Sequence, residues 1–222
     1  PNTGSSSAFR WPGCERSFSM VMKKIGSVVS FLFHPLLMPT LGLLLLLNSG
    51  TYISLLDPAA KRALMFVMTL GTLLFPLMML PILFYRRLLS SFQPSSREER
   101  VIPQLIILIL YVITYVYFAR LPLNKVIHCY VLATALVLAA VLILSIRVKI
   151  CVHSAALGGM AGLVVALVFL YETPLQGILM IVLLAGGLTA SARLATGAQR
   201  PAEVYAGYLL GFTVLLTTLL VY

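Results

Sequence analysis

Seven apolar runs, each longer than the ~17 residues needed to cross a bilayer as a helix, follow one another along this chain. They fall at about 25–47, 63–85, 101–118, 126–146, 153–171, 174–192 and 204–222. Lipid offers no partner to backbone N–H and C=O groups, so a crossing segment must satisfy them within a helix or a closed barrel. Barrel strands would alternate apolar and polar side chains over ~10 positions, and these runs do not alternate. Composition agrees, with 60% hydrophobic and 10% charged residues and a mean hydropathy of +1.03. A soluble domain carries about 25% charged residues. The expected fold is an all-α polytopic transmembrane helix bundle of about six or seven spans.

Residues 1–22, "PNTGSSSAFRWPGCERSFSMVM", are polar and rich in Ser, Gly and Pro, and read as a flexible leader or an expression remnant. Residues 23–222 then form one transmembrane domain, and "MKKIGSVVSFLF" from Met22 has the look of a natural start. A basic pair before an apolar run also fits a signal peptide, but no small-residue cleavage site follows and the run continues to span length. In the second run Pro76 and Pro81 are expected to kink the helix, because proline removes a hydrogen bond and crowds the preceding turn. The three cysteines, Cys14, Cys129 and Cys151, show no paired or metal spacing, so a disulfide framework is not expected. His128 beside Cys129 offers two donors, too few for a metal site.

The net charge is +10. Basic residues sit in short loops and form no basic domain, which speaks against nucleic acid as a partner. With the leader set aside, they divide unequally between the two ends of the bundle. Lys23, Lys24, Arg86, Arg87, Arg97, Arg100, Arg147, Lys149, Arg193 and Arg200 share one face. Lys61, Arg62, Arg120 and Lys125 share the other, ten against four. The positive-inside rule makes the richer face cytoplasmic. If Arg97, Arg100, Lys149 and Arg193 are retained for anion binding, the count becomes six against four and leaves orientation open.

Three polar clusters fall on that richer face: "REERVIP" before the third run, "RVKICVHS" at the start of the fifth and "ARLATGAQRPAE" before the last. Charged groups beside hydrocarbon are costly, so they call for a partner. Guanidiniums and helix termini converging at a membrane surface describe an anion pocket, most naturally for phosphate. The plainer reading is a solvated basic rim that attracts anionic head groups without specificity. Gly158, Gly159 and Gly162 in the fifth run, and Gly186 and Gly187 in the sixth, suit close helix packing. That packing brings His153 toward Arg193. His34, in "FHPLLMP", reads as an interfacial or packed side chain.

In order and spacing the three clusters resemble the motifs of the type-2 phosphatidic acid phosphatase family, which is related to vanadium haloperoxidases. In the third, Ser191 or Ala192 stands before Arg193, five residues follow, Gln199 falls at the family's histidine and Glu203 at its aspartate. In the second, "ICVHSAALGG" puts Cys151 at the serine position and His153 at the histidine. In the first, Arg100 matches the motif arginine, Gln93 falls at the lysine position, Val101 replaces the proline, and Arg97 can supply the missing charge. The resemblance runs from about 86 to 211 and implies a phosphatase-like core there. It also implies a metal-independent, cofactor-free hydrolase acting on a lipid phosphate or diphosphate. Phosphatidic acid, phosphatidylglycerophosphate, lipid A or a polyprenyl diphosphate would suit it, in a bacterial cytoplasmic (inner) membrane.

By that resemblance the third-motif histidine attacks phosphorus, the acid orients it, the second-motif histidine protonates the leaving group, and Arg97, Arg100, Lys149 and Arg193 hold the phosphoryl oxygens. The catalytic set is then His153, Glu203 and Gln199. An amide nitrogen has a delocalised lone pair and cannot serve as nucleophile where imidazole can. Gln199 therefore admits three readings: a native pocket that lacks its nucleophile, an engineered replacement, or an offset alignment with His153 as nucleophile. Cys151 could also attack phosphorus as a thiolate, although a single cysteine at a helix start is more often simply packed. Two functions stay open: a lipid phosphatase, and an inactive relative that binds phospholipid head groups or serves as a structural membrane subunit. The oligomeric state is open too. Transport lacks an inverted repeat or acidic residues at mid-membrane.

Overall fold

The computed structural model describes residues 34–85 and 97–221 apart from 196 and 198; of residues 80, 82–84 and 97–100 it describes the backbone alone. The expected leader 1–22 and the beginning of the first run lie outside the described residues. In chain order the elements are α1 (Met38–Leu47), a 3-10 turn (Tyr52–Leu55), α2 (Pro58–Thr69), a π-helical turn (Leu70–Leu74) and α3 (Phe75–Tyr85). Then come α4 (Arg97–Ala119), α5 (Lys125–Ser145), α6 (Val152–Tyr171), α7 (Gln176–Ala195) and α8 (Pro201–Val221). No strand occurs among the described residues, and six segments among them are long and apolar enough to cross a membrane. The protein is an all-α polytopic helix bundle, and its composition is that of an integral membrane protein.

One expectation needs correction. The first apolar run predicts one continuous span, but in its described part the chain turns at 35–37 and helix begins only at Met38. Ten residues of α1 reach ~15 Å, half of a ~30 Å hydrocarbon core. Pro35 and Pro39 bracket the turn, and proline pushes the residue before it out of helical geometry. In the second run the irregularity is the π turn Leu70–Leu74, directly before Phe75–Pro76, whereas Pro81 sits within α3. A π turn absorbs the carbonyl that Pro76 cannot bond. It also lets Gly71 approach Thr114 of α4 so closely that a Cβ there would collide with the threonine hydroxyl.

Helix starts are fixed by local chemistry. Asp57 caps α2 through Ala59 N–H (3.0 Å) and Ala60 N–H (3.3 Å), with Pro58 at the first helical position. Asn124 caps α5 through Val126 N–H at 2.9 Å. The central helices are α5 and α6, 61% buried over their spans against 17% for α4. The main core joins Leu43, Leu46 and Leu47 of α1 to Met68 of α2, Tyr130 of α5, Leu163 and Leu167 of α6, and Leu215 of α8. Tyr130 donates to the Pro39 carbonyl at 2.8 Å and so ties α5 to the start of α1.

The closest helix pair is α6 with α8, which run parallel. Small residues four apart on both helices, Gly158 and Gly162 against Gly207 and Gly211, make this possible. A Cβ at Gly158 would strike the Tyr208 carbonyl, and one at Gly211 the Ala155 carbonyl. One at Gly162 would lie 2.6 Å from the Phe212 carbonyl, and one at Gly207 2.6 Å from that of Cys151. At the head of the pair, Cys151 N–H donates to the Glu203 carbonyl at 3.2 Å. Helix α7 returns antiparallel between them in sequence, and its Gly186 lies under the Tyr208 ring.

Candidate functional site

At the end of the bundle where α6 and α8 begin and α7 finishes, Arg193 and His153 meet. Arg193 occupies the last turn of α7, where a cation is favoured by the exposed carbonyls, and His153 is the second residue of α6. The guanidinium Nη2 donates to His153 Nδ1 at 2.7 Å. Arginine can only donate, so that ring nitrogen carries a lone pair and the imidazole is neutral, with its proton on Nε2.

His34 completes the group. It lies in the segment leading into α1, and its ring meets that of His153 edge to face, with centroids 5.7 Å apart. Its Nδ1 accepts from Leu36 N–H at 3.3 Å, so its proton also sits on Nε2. His34 lies outside the six spans, and burial, followed by the charge of Arg193, lowers its pKa from the usual 6.5. Met38 and Leu157, each four residues on from a histidine of the group, form a small apolar cluster with Ala185, two turns before Arg193, and Tyr208 packs against it.

The other expected residues are distributed unevenly. Gln199, in the α7–α8 loop, is partly buried, and its Oε1 has no hydrogen-bond partner among the described residues. Glu203 lies at the start of α8, where its Oε2 accepts from Arg200 N–H at 3.2 Å. That is the reach-back half of a capping box, with Arg200 at the cap, Pro201 first in the helix and Glu203 third. No hydrogen bond joins Glu203 to His153 or Gln199 among the described residues. Lys149 is partly buried in the α5–α6 loop, and Cys151 is fully buried at the head of α6. Arg97 and Arg100 lie in the first turn of α4, at this same end, with only their backbone described.

Several hydroxyls nearby are buried with no hydrogen-bond partner among the described residues. They are Ser154 Oγ beside His153, Thr189 Oγ1 one turn from Arg193 on the same face of α7, and the Tyr208 hydroxyl. Ser154 and Thr189 are 3% and 0% exposed. Native proteins leave few buried polar groups unsatisfied, and each that remains calls for an explanation such as an ordered water, an ion, strain or a catalytic role. No group of three His, Cys, Asp or Glu able to hold a metal occurs among the described residues.

The residue that sequence reasoning missed is His34. In sequence it reads as packed, because nothing local connects "FHPLLMP" with the polar clusters far downstream; only the fold brings its ring to His153. A histidine directly before a proline, interrupting an apolar run, was the available signal. Comparison with known proteins adds no constraint, since no family model, no curated protein and no solved structure matches the chain.

Proposed function

We propose that the protein holds the phosphate of a lipid head group at this end of the bundle, as a phosphatase-like membrane protein whose site binds without hydrolysing. The observation that carries the proposal is the 2.7 Å bond from Arg193 to His153 Nδ1. With His34 Nδ1 similarly engaged, both rings have their N–H on Nε2. A guanidinium and two imidazole N–H groups make a donor set suited to phosphate oxygens. The same assignment leaves neither ring with an unengaged lone pair for in-line attack on phosphorus, and Gln199 offers none. The apolar cluster beside the group and its place at the helix ends suit a head group attached to a chain that stays in the bilayer.

The active lipid phosphatase is the second reading, favoured by the motif order and by the presence of His153, Arg193 and Glu203 in sequence. Purified protein in detergent, given phosphatidic acid, phosphatidylglycerophosphate and a polyprenyl diphosphate, separates the two. Binding without phosphate release, lost in Arg193→Ala, is the expected result. Release that appears only in Gln199→His would mark a phosphatase scaffold that lacks its nucleophile. Release by the unaltered protein, abolished in His153→Ala, would overturn the binding reading in favour of an enzyme.

A further inference from the structure

On the opposite side of the membrane from the histidine pair, α1 and α2 enclose a groove of about 420 Å³. Leu44 and Leu47 form one wall, and Met65 and Phe66 the other. Leu44 is 45% and Phe66 67% exposed, so the groove opens outward on the lipid side of the bundle. Lys61 and Arg62 stand at its mouth, near the start of α2. Among the described residues neither is in an ion pair or a side-chain hydrogen bond. The nearest carboxylate in sequence, Asp57, has Oδ2 committed to the N–H groups of Ala59 and Ala60.

From Arg62 to Thr69 the groove follows ~10 Å of helix axis, about two-thirds of one leaflet of a ~30 Å hydrocarbon core. Two cations at head-group depth above an apolar slot that runs toward mid-membrane match one occupant in charge and in shape. We infer that this groove is a binding site for an anionic phospholipid, with the phosphate at Lys61 and Arg62 and an acyl chain between Leu44, Leu47, Met65 and Phe66. It is separate from the histidine site, in the other leaflet, and does not depend on the function proposed there. Lysine stems that lie along apolar surface while the ammonium stays in water fit this arrangement.

The test uses the full chain carrying Arg193→Gln, so that the other site does not contribute. Delipidated protein is offered dioleoyl phosphatidylglycerol or dioleoyl phosphatidylcholine, and retained lipid is read by native mass spectrometry. One phosphatidylglycerol should be held about thirtyfold more tightly than phosphatidylcholine, the order expected for two bases near an anionic head group. Lys61→Gln with Arg62→Gln should erase that preference. Met65→Trp, which fills the slot, should abolish retention of both lipids. If Met65→Trp does not fold, as judged by helical circular dichroism, Leu44→Trp on the facing wall replaces it. Arg120→Gln, an exposed base at the same end, should change nothing. Equal retention of the two lipids, a loss in Arg120→Gln as large as in the double variant, or full retention in the slot-filling variant would overturn the assignment.

Discussion

The two ends of the bundle are finished differently. At the end that holds the 3-10 turn, polar groups partner one another: Tyr52 accepts from Asn124 at 2.8 Å and shares a hydrogen bond with Tyr171 at 3.2 Å. Ser49 donates to the Leu46 carbonyl at 2.9 Å, Thr173 to that of Leu167 at 3.3 Å, and Asp57 and Asn124 cap their helices. His128 Nε2 is the exception there. At the other end Ser154, Thr189, Gln199 and Tyr208 keep buried polar atoms without partners among the described residues, around a histidine and an arginine that face each other. Among the described residues, polar groups at one end are largely paired with each other, and at the other end several buried ones are not. Residues of the first kind should govern how well the protein folds, and those of the second what it holds.

The largest test of that division strikes the element common to both ends. Gly211→Leu places a side chain against the Ala155 carbonyl, where no rotamer can relieve the clash. Overpacking of this kind costs ~1–3 kcal/mol or more. The thermal midpoint in detergent should fall steeply, and lipid-phosphate binding should be lost with it. Retained binding at an unchanged midpoint would mean that α6 and α8 do not approach as described.

A smaller effect belongs to the paired end alone. Tyr52→Phe removes the hydroxyl shared by Asn124 and Tyr171 and should lower stability by ~1 kcal/mol, the usual net value of such a bond. Head-group binding at the far end should stay within experimental error. The smallest effect has the opposite sign. Thr189→Val replaces a fully buried, unpartnered hydroxyl with a methyl of similar shape, which should leave stability equal or raise it by up to ~1 kcal/mol. If the hydroxyl serves a ligand, phosphate binding weakens in the same variant. Lower stability in Thr189→Val would place the site end on the same footing as the other and erase the contrast.

The long spans were legible because each is a sustained apolar run: the last five start and stop within about three residues of the expected edges, whereas the segment Pro58–Met79 begins and ends five and six residues before the expected 63–85. The approach of α6 was legible from Gly158 and Gly162, because absent side chains advertise where backbones can meet. Their counterparts Gly207 and Gly211 lie beside a motif whose charged residues dominate its reading. Glu203 shows how one residue can satisfy two patterns. Three residues after Arg200 and two after Pro201, it satisfies a helix-start pattern as well as it fits a catalytic acid, and the fold uses it as a cap. The π turn was not legible, because proline predicts a disturbance without specifying which backbone adjustment absorbs it.

The pairing of His34 with His153 and Arg193 also has a consequence for how the chain is made. His34 is synthesised before any of the six long spans, whereas Arg193 emerges only as the last of them is about to follow. Helices α6, α7 and α8 can pack on each other as they enter the bilayer, but the second imidazole has to be kept in waiting throughout insertion. In a chain stopped after α5, His34 has neither His153 nor Arg193 to meet, so the anion site proposed here arises only once α6 and α7 have followed.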